Sequence, residues 1–264
     1  MLIYPHINKI AFQIGPIKIY WYGVMYLLSF ILVWFLAKYK SKQLHYNWSN
    51  EQISDLIFYC ALGTVLGGRI GYVLIYGLKD LLADPFFLFR IWQGGMSFHG
   101  GLIGVTIALY FFAKKMHLRF LTLGDFIAPL IPPCLALGRI GNFINAELPG
   151  RITTVPWGMI FPQTGPLPRH PSQLYQAFAE GIILFLLLWF FSAKPRPRGT
   201  VSALFLIGYG SIRFVCEFFR EPDSQLGSVA FNWLTMGQLL SLPMIIIGII
   251  MMVYYEKNKE NVVA

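Results

Sequence analysis

The chain has 264 residues, of which 56% are apolar and only 12% charged. Soluble domains carry roughly 25% charged residues, so a water-covered globular protein is excluded and a membrane protein is left. The formal net charge of +9 reads as an orientation signal with some attraction to anionic membrane lipids, and it calls for no nucleic acid partner.

Seven apolar windows of near-spanning length follow one another at residues 19–38, 54–76, 95–113, 121–144, 172–192, 200–219 and 234–254. They predict an all-α polytopic membrane protein with seven transmembrane helices, forming a single domain over 1–264. The first window follows a polar, Pro-containing segment and lacks a small-residue cleavage site, so it reads as a permanent helix. Tyr22 stands near its outer start. The second carries Arg69, and the third opens on "GGMSFHGG" with His99. In the fourth, "PLIPP" at 129–133 is expected to break or kink the helix before Arg139. Gly138 and Gly141, flanking Arg139, are expected to let another helix approach closely. Asn142, Asn145 and Glu147 continue its outer end.

The segment 145–171, rich in Pro, Gly and Thr, is predicted as a small external cap between helices 4 and 5, with "ITTV" and "WGMIF" as candidate short strands. His170 stands where this cap re-enters the membrane, as a substrate guide or a helix cap. The sixth window places Tyr209, Arg213 and Glu217 at i, i+4 and i+8, on one face. Eleven Lys and Arg follow the odd-numbered windows and seven lie on the other side. By the positive-inside rule the N-terminus is outside and the C-terminus cytoplasmic.

Three of the 21 basic residues, Arg69, Arg139 and Arg213, fall inside windows, at an insertion cost of about 2.5–3.5 kcal/mol each at the bilayer centre. All three lie within about 10 Å of the outer helix end at 1.5 Å per residue. Tyr22, His99, Asn142, Asn145, Glu147, Tyr209 and Glu217 share that level, and the inner half has no comparable set. Blander readings stand beside the functional one. Arg69 can snorkel to the headgroups, Arg213 and Glu217 can be a plain ion pair, and a lone His near a helix start is commonly just hydrogen-bonded. For Arg139, a lined cavity is the economical explanation. Guanidinium forks match phosphate oxygens, so the natural guest is a phospholipid headgroup. Cys60, Cys134 and Cys216 lie singly in three windows and read as fillers, and no spacing suggests a metal or a nucleotide. A transporter or scramblase of an anionic lipid is the competing class, and it calls for a polar path continuing into the cytoplasmic half.

The run "GRIGNFINAELPG" at 138–150 closely resembles the signature of the bacterial prolipoprotein diacylglyceryl transferases. "WYGVMY" (21–26), "GGRIGYVL" (67–74), "GGMSFHGGLIG" (94–104), "RHPSQLY" (169–175) and "LIGYGSIRFVCEFFREPD" (206–223) are similar to that family's blocks, in the same order. Two departures are visible: Ala146-Glu147-Leu148-Pro149-Gly150 stands where Gly-Glu-Leu-Trp-Gly is expected, and Gln176 where Glu is usual.

The resemblance implies a membrane transferase of lipoprotein biosynthesis in the bacterial inner membrane, its active site toward the periplasmic leaflet. Its implied partners are phosphatidylglycerol and a prolipoprotein signal peptide bearing a lipobox cysteine. The diacylglyceryl group passes to the cysteine thiol, leaving a thioether and glycerol 1-phosphate, with no metal or other cofactor. Carried over by motif, His99, Arg139 and Arg213 are the implied catalytic residues, with His99 either the thiol base or an orienting group. Tyr22, Asn142, Glu147, Gly150, Tyr209 and Glu217 match positions linked to activity or binding, and Arg69, Asn145 and His170 complete the expected substrate-binding set.

Overall fold

The structure, a computed structural model, describes residues 2–44, 46, 48–222, 228–230 and 234–258. Asp223 and Lys259, both used in the sequence reading, lie outside them. Each of the seven windows falls on a helix: α1 (Trp21–Gln43), α2 (Asn50–Ile75), α4 (Phe98–Lys115), α5 (Phe120–Ile144), α6 (Ser172–Phe191), α7 (Thr200–Cys216) and α8 (Met236–Lys257). A short α3 (Leu78–Ala83) follows α2. Among the described residues five helices, α1, α2, α5, α6 and α8, are long and apolar enough to cross a membrane. The apolar α7 is shorter, and α4 ends on Lys114 and Lys115. Large side chains such as Leu27, Phe35, Phe58, Leu187, Phe190, Ile246 and Ile250 are exposed, as expected of helices solvated by lipid tails.

Helix starts follow from local chemistry. Ser49 with Gln52, and Thr235 with Gln238, form capping boxes at α2 and α8. Helix α7 begins at Gly199, and its cap is borrowed from α5: the Asp125 carboxylate accepts from the amides of Gly199 (2.5 Å) and Ser202 (2.7 Å) and from the Ser202 hydroxyl. A carboxylate at a helix N-terminus is favoured by the amide dipoles, which accounts for an acid in this half-buried position.

The chain divides into two compact units, residues 1–45 with 124–264, and residues 46–123. In the first, α1 packs along α5, α5 along α6, and α7 along α8. Lys40, fully buried, donates to the carbonyl (2.8 Å) and hydroxyl (2.7 Å) of Ser192. In the second, α2 lies against α4 through glycines: a Cβ on Gly67 or Gly104 would run into the opposing backbone, the small-residue packing that lets membrane helices close up. Short strands complete the fold. β2 (Ile10–Ile14) and β3 (Ile17–Tyr20) form an antiparallel hairpin, β1 (Leu2–Ile3) pairs in parallel with β4 (Met159–Ile160), and β5 (Ser228–Ala230) pairs with β6 (Leu234–Thr235). "ITTV" and "WGMIF" do not pair with each other: Arg169 bridges both Ile152 and Met159, and the outer edge of Met159–Ile160 takes the N-terminal strand.

Candidate active site

The "PLIPP" run does not break α5. It tightens one turn, Ala128–Leu130, to 3-10 geometry, and the helix resumes with Pro132 and Pro133 in its first turn, where the missing N–H groups cost least. Gly141 lets Tyr22 of α1 lie against α5, whereas Gly138 faces open space and brings no helix close. At the C-terminal end of α5 the Tyr4 hydroxyl contacts the carbonyls of Phe143 (2.9 Å) and Ile144 (2.7 Å). The chain then reverses through Ala146 and Leu148, both left-handed at φ 56° and 53°. That turn folds the Glu147 carboxylate back onto the helix end, where it accepts from the side-chain amides of Asn142 (3.2 Å) and Asn145 (3.1 Å). Gln173 of α6 donates to the Glu147 carbonyl at 2.5 Å. The two side-chain amides and the carboxylate thus meet, while the Asn145 Oδ1 is buried without a hydrogen bond.

The arginines meet a residue that the sequence reading passed over. Glu180 is fully buried on a π-helical turn, Ala177–Ile183, inside α6. Its Oε2 lies 3.5 Å from Arg139 and its Oε1 3.6 Å from Arg213. These are ion pairs without aligned hydrogen bonds, since neither Glu180 oxygen and no partner of the Arg213 Nη1 completes one. Glu217, also buried, pairs with Arg213 at 2.7 Å and with Arg220 at 3.1 Å. The result is an alternating chain, Arg139–Glu180–Arg213–Glu217–Arg220, that draws on α5, α6 and the end of α7. Tyr209, stacked on Phe205, lies within electrostatic reach of Arg139, Glu180 and Arg213. Tyr22 of α1 lies against Gly141 and edge-on to Tyr26, and Tyr26 feels the Arg139 charge.

Gly150 and His170 belong to the cap. Gly150 bridges Arg220 and donates its amide to the His170 carbonyl (2.8 Å), so that a Cβ there would lie 2.6 Å from that oxygen. The His170 ring contacts the Tyr175 hydroxyl at 3.1 Å and packs edge-on to Tyr175 and Phe219. Burial pushes its pKa below the usual histidine value.

Arg69 and His99 lie in the second unit. Arg69 is buried, and its guanidinium donates to the carbonyls of Phe87 (2.5 Å), Leu88 (3.0 Å), Gly94 (2.6 Å) and Gly95 (3.2 Å). Four donors are therefore committed to the loop that leads into α4. His99 is exposed in the first turn of α4, which Ser97 caps through the Gly100 amide.

Within the first unit, the structure brings together Arg139, Tyr209, Arg213 and Glu217 around Glu180, with Tyr22 against Gly141 of α5, and, at the C-terminal end of that helix, Asn142, Asn145 and Glu147. The family model of prolipoprotein diacylglyceryl transferases matches residues 9–254. The chain is 56% identical over 261 residues to a phosphatidylglycerol–prolipoprotein diacylglyceryl transferase of Coxiella burnetii (strain RSA 331 / Henzerling II), covering 99% of this chain and 100% of that one. It is 59% identical over 249 residues to the protein of the same name from Legionella pneumophila (strain Lens), covering 94% and 97%. The chain belongs to the prolipoprotein diacylglyceryl transferase family.

Proposed function

We propose that the protein transfers the diacylglyceryl group of phosphatidylglycerol to the cysteine thiol of a prolipoprotein lipobox. The observation that carries this reading is the pair Arg139 and Arg213, which reach the same buried carboxylate from different helices without hydrogen-bonding it. The guanidinium nitrogens that face Glu180 keep N–H donors for phosphate oxygens, to which bidentate, charge-assisted bonds are strongest, while Arg213 pairs its other terminal nitrogen with Glu217.

The cysteine sulfur attacks the primary glyceryl carbon attached to phosphate. The carbon–sulfur bond forms as the carbon–oxygen bond breaks, and the electron pair leaves with the phosphate oxygen, giving glycerol 1-phosphate and a thioether. The leaving phosphate gains charge along this path, so Arg139 and Arg213 bind the transition state more tightly than the lipid. The thiol, with an ordinary pKa near 8.5, must lose its proton. His99 as the acceptor of that proton rests on the family resemblance, as do the contacts assigned to Asn142, Asn145, Glu147, Tyr22 and His170. For Arg69, with four donors on carbonyls, the role we favour is to hold the loop that carries Ser97 and His99. Seven crossings of the inner membrane, a periplasmic N-terminus and cap at 145–171, and a single unit over 1–264 belong to the same proposal, supported by a helix at each apolar window and by the Lys and Arg bias.

Purified protein incubated with phosphatidylglycerol vesicles and a lipobox-cysteine peptide is expected to yield lipidated peptide and glycerol phosphate in equal amounts. Movement of lipid between leaflets without that peptide product would overturn the transferase reading in favour of a scramblase.

A further inference from the structure

Glu180 has no assigned part in this chemistry, and its placement is unusual. It is 0% exposed, both its oxygens lack a hydrogen bond, and it sits between two guanidinium groups at 3.5 and 3.6 Å. A buried carboxylate with no aligned donor is costly, and a hydrogen-bonded pair would have been cheaper. The backbone is shaped to keep it there. The π-helical turn at Ala177–Ile183 re-aims the side chain, and the adjoining Gly181 is clamped against Ala136 of α5, where a Cβ would lie 3.0 Å from the Ala136 Cα. Such turns concentrate at functional sites.

Glu180 places one carboxylate between the guanidinium groups of Arg139 and Arg213. A phosphodiester carries a single negative charge, whereas a phosphate monoester carries −1.5 to −2 near neutral pH. We infer that Glu180 is a positioning residue that separates Arg139 from Arg213 and limits their combined charge, so that the site holds a lipid phosphodiester yet releases the phosphate monoester made from it. This inference rests on the transferase reading. Without Glu180 the two arginines would grip both anions more tightly, and the more highly charged product would gain most.

The test is Glu180→Gln, close in shape and without the charge. Glycerol 1-phosphate binding, measured on wild type and variant in detergent, is expected to tighten about tenfold or more, with a lower KM for phosphatidylglycerol and a lower kcat as release becomes limiting. A merely structural Glu180 would give less folded protein or a higher KM, and would not tighten product binding. Unchanged or weaker binding of glycerol 1-phosphate overturns the inference. If Glu180→Gln does not fold, Glu180→Asp retains the charge but withdraws it by one methylene, and the same binding is expected to tighten by a smaller factor; no tightening there overturns the inference equally. Product binding is read without turnover, so its outcome is distinguishable from failure of wild-type protein to lipidate the peptide, which would sink the transferase reading itself.

Discussion

Replacing Arg139 by lysine keeps the charge and removes the fork. In the structure Arg139 reaches Glu180 at 3.5 Å with its side chain 21% exposed, so solvent screens it only in part. A lysine has one terminal nitrogen where arginine has two, and it cannot approach the Glu180 carboxylate and still present a pair of parallel N–H groups to a phosphate. A lost hydrogen bond to a charged group costs about 1.5–3 kcal/mol. If the bond strengthens in the transition state, that is about a ten- to hundredfold loss in kcat/KM. The assay is lipidation of a lipobox peptide across phosphatidylglycerol concentrations, with thermal stability followed in parallel. Because lysine retains the charge opposite Glu180, stability is expected to hold while kcat falls. Turnover within threefold of wild type, in a folded Arg139→Lys protein, would refute the bidentate phosphate role.

Gly150→Ala would place a methyl 2.6 Å from the His170 carbonyl oxygen, among backbone that has no room to yield. It is expected to destabilise the cap by about 1–3 kcal/mol, read as earlier heat-induced loss of the monodisperse peak in detergent; an unchanged profile refutes the packing. Ala146→Gly relieves a left-handed alanine worth about 1–2 kcal/mol at φ 56°, but loses a methyl packed with Tyr4, Met159 and Phe161, worth about 0.8 kcal/mol, along with some unfolded-state entropy. Stability should therefore stay within about 1 kcal/mol, and a larger loss would mean that the packing outweighs the strain. His170 is depressed by burial. The stability its neutral ring carries is complete above the unfolded pKa of about 6.5 and is lost as pH falls from there through the lower folded value. Melting temperatures between pH 8 and 5 should drop less steeply in His170→Gln, and an identical slope excludes this contribution.

The helices were legible because apolar length is written directly in composition: each window from 19–38 to 234–254 overlies a helix. Arg139, Arg213, Asn142, Asn145 and Glu147 were legible for the converse reason, as polar groups in apolar surroundings. The N-terminal hairpin carried a signal too, since "IAFQI" and "IKIY" alternate around Gly15 and Pro16, and Gly15 takes φ 57° at the turn. The partners of Arg69 left none, because backbone carbonyls of Phe87, Leu88, Gly94 and Gly95 do not depend on side-chain identity. The expected Gly at 146 has its physical reason in the left-handed turn, which alanine here occupies regardless.

Glu180 was hidden differently. As a lone acid between Ala179 and Gly181 in an apolar window, it carries the same signal that singled out the three arginines, but a search for buried cations alone skips their counter-ion. Even had it been noticed, helical spacing would have aimed it elsewhere, since one residue of shift turns a helix by about 100° and the π-helical turn begins three residues before it. That turn also supplies the two arginines with their counter-charge. A carboxylate in full hydrogen-bonded contact would stabilise them most and leave no donors for a ligand. A carboxylate held at 3.5 and 3.6 Å supplies opposite charge without taking a hydrogen bond from either guanidinium, so the cost of burying them is only partly offset. Arg213, whose Nη1 is buried without a hydrogen bond, is where that remaining cost is concentrated.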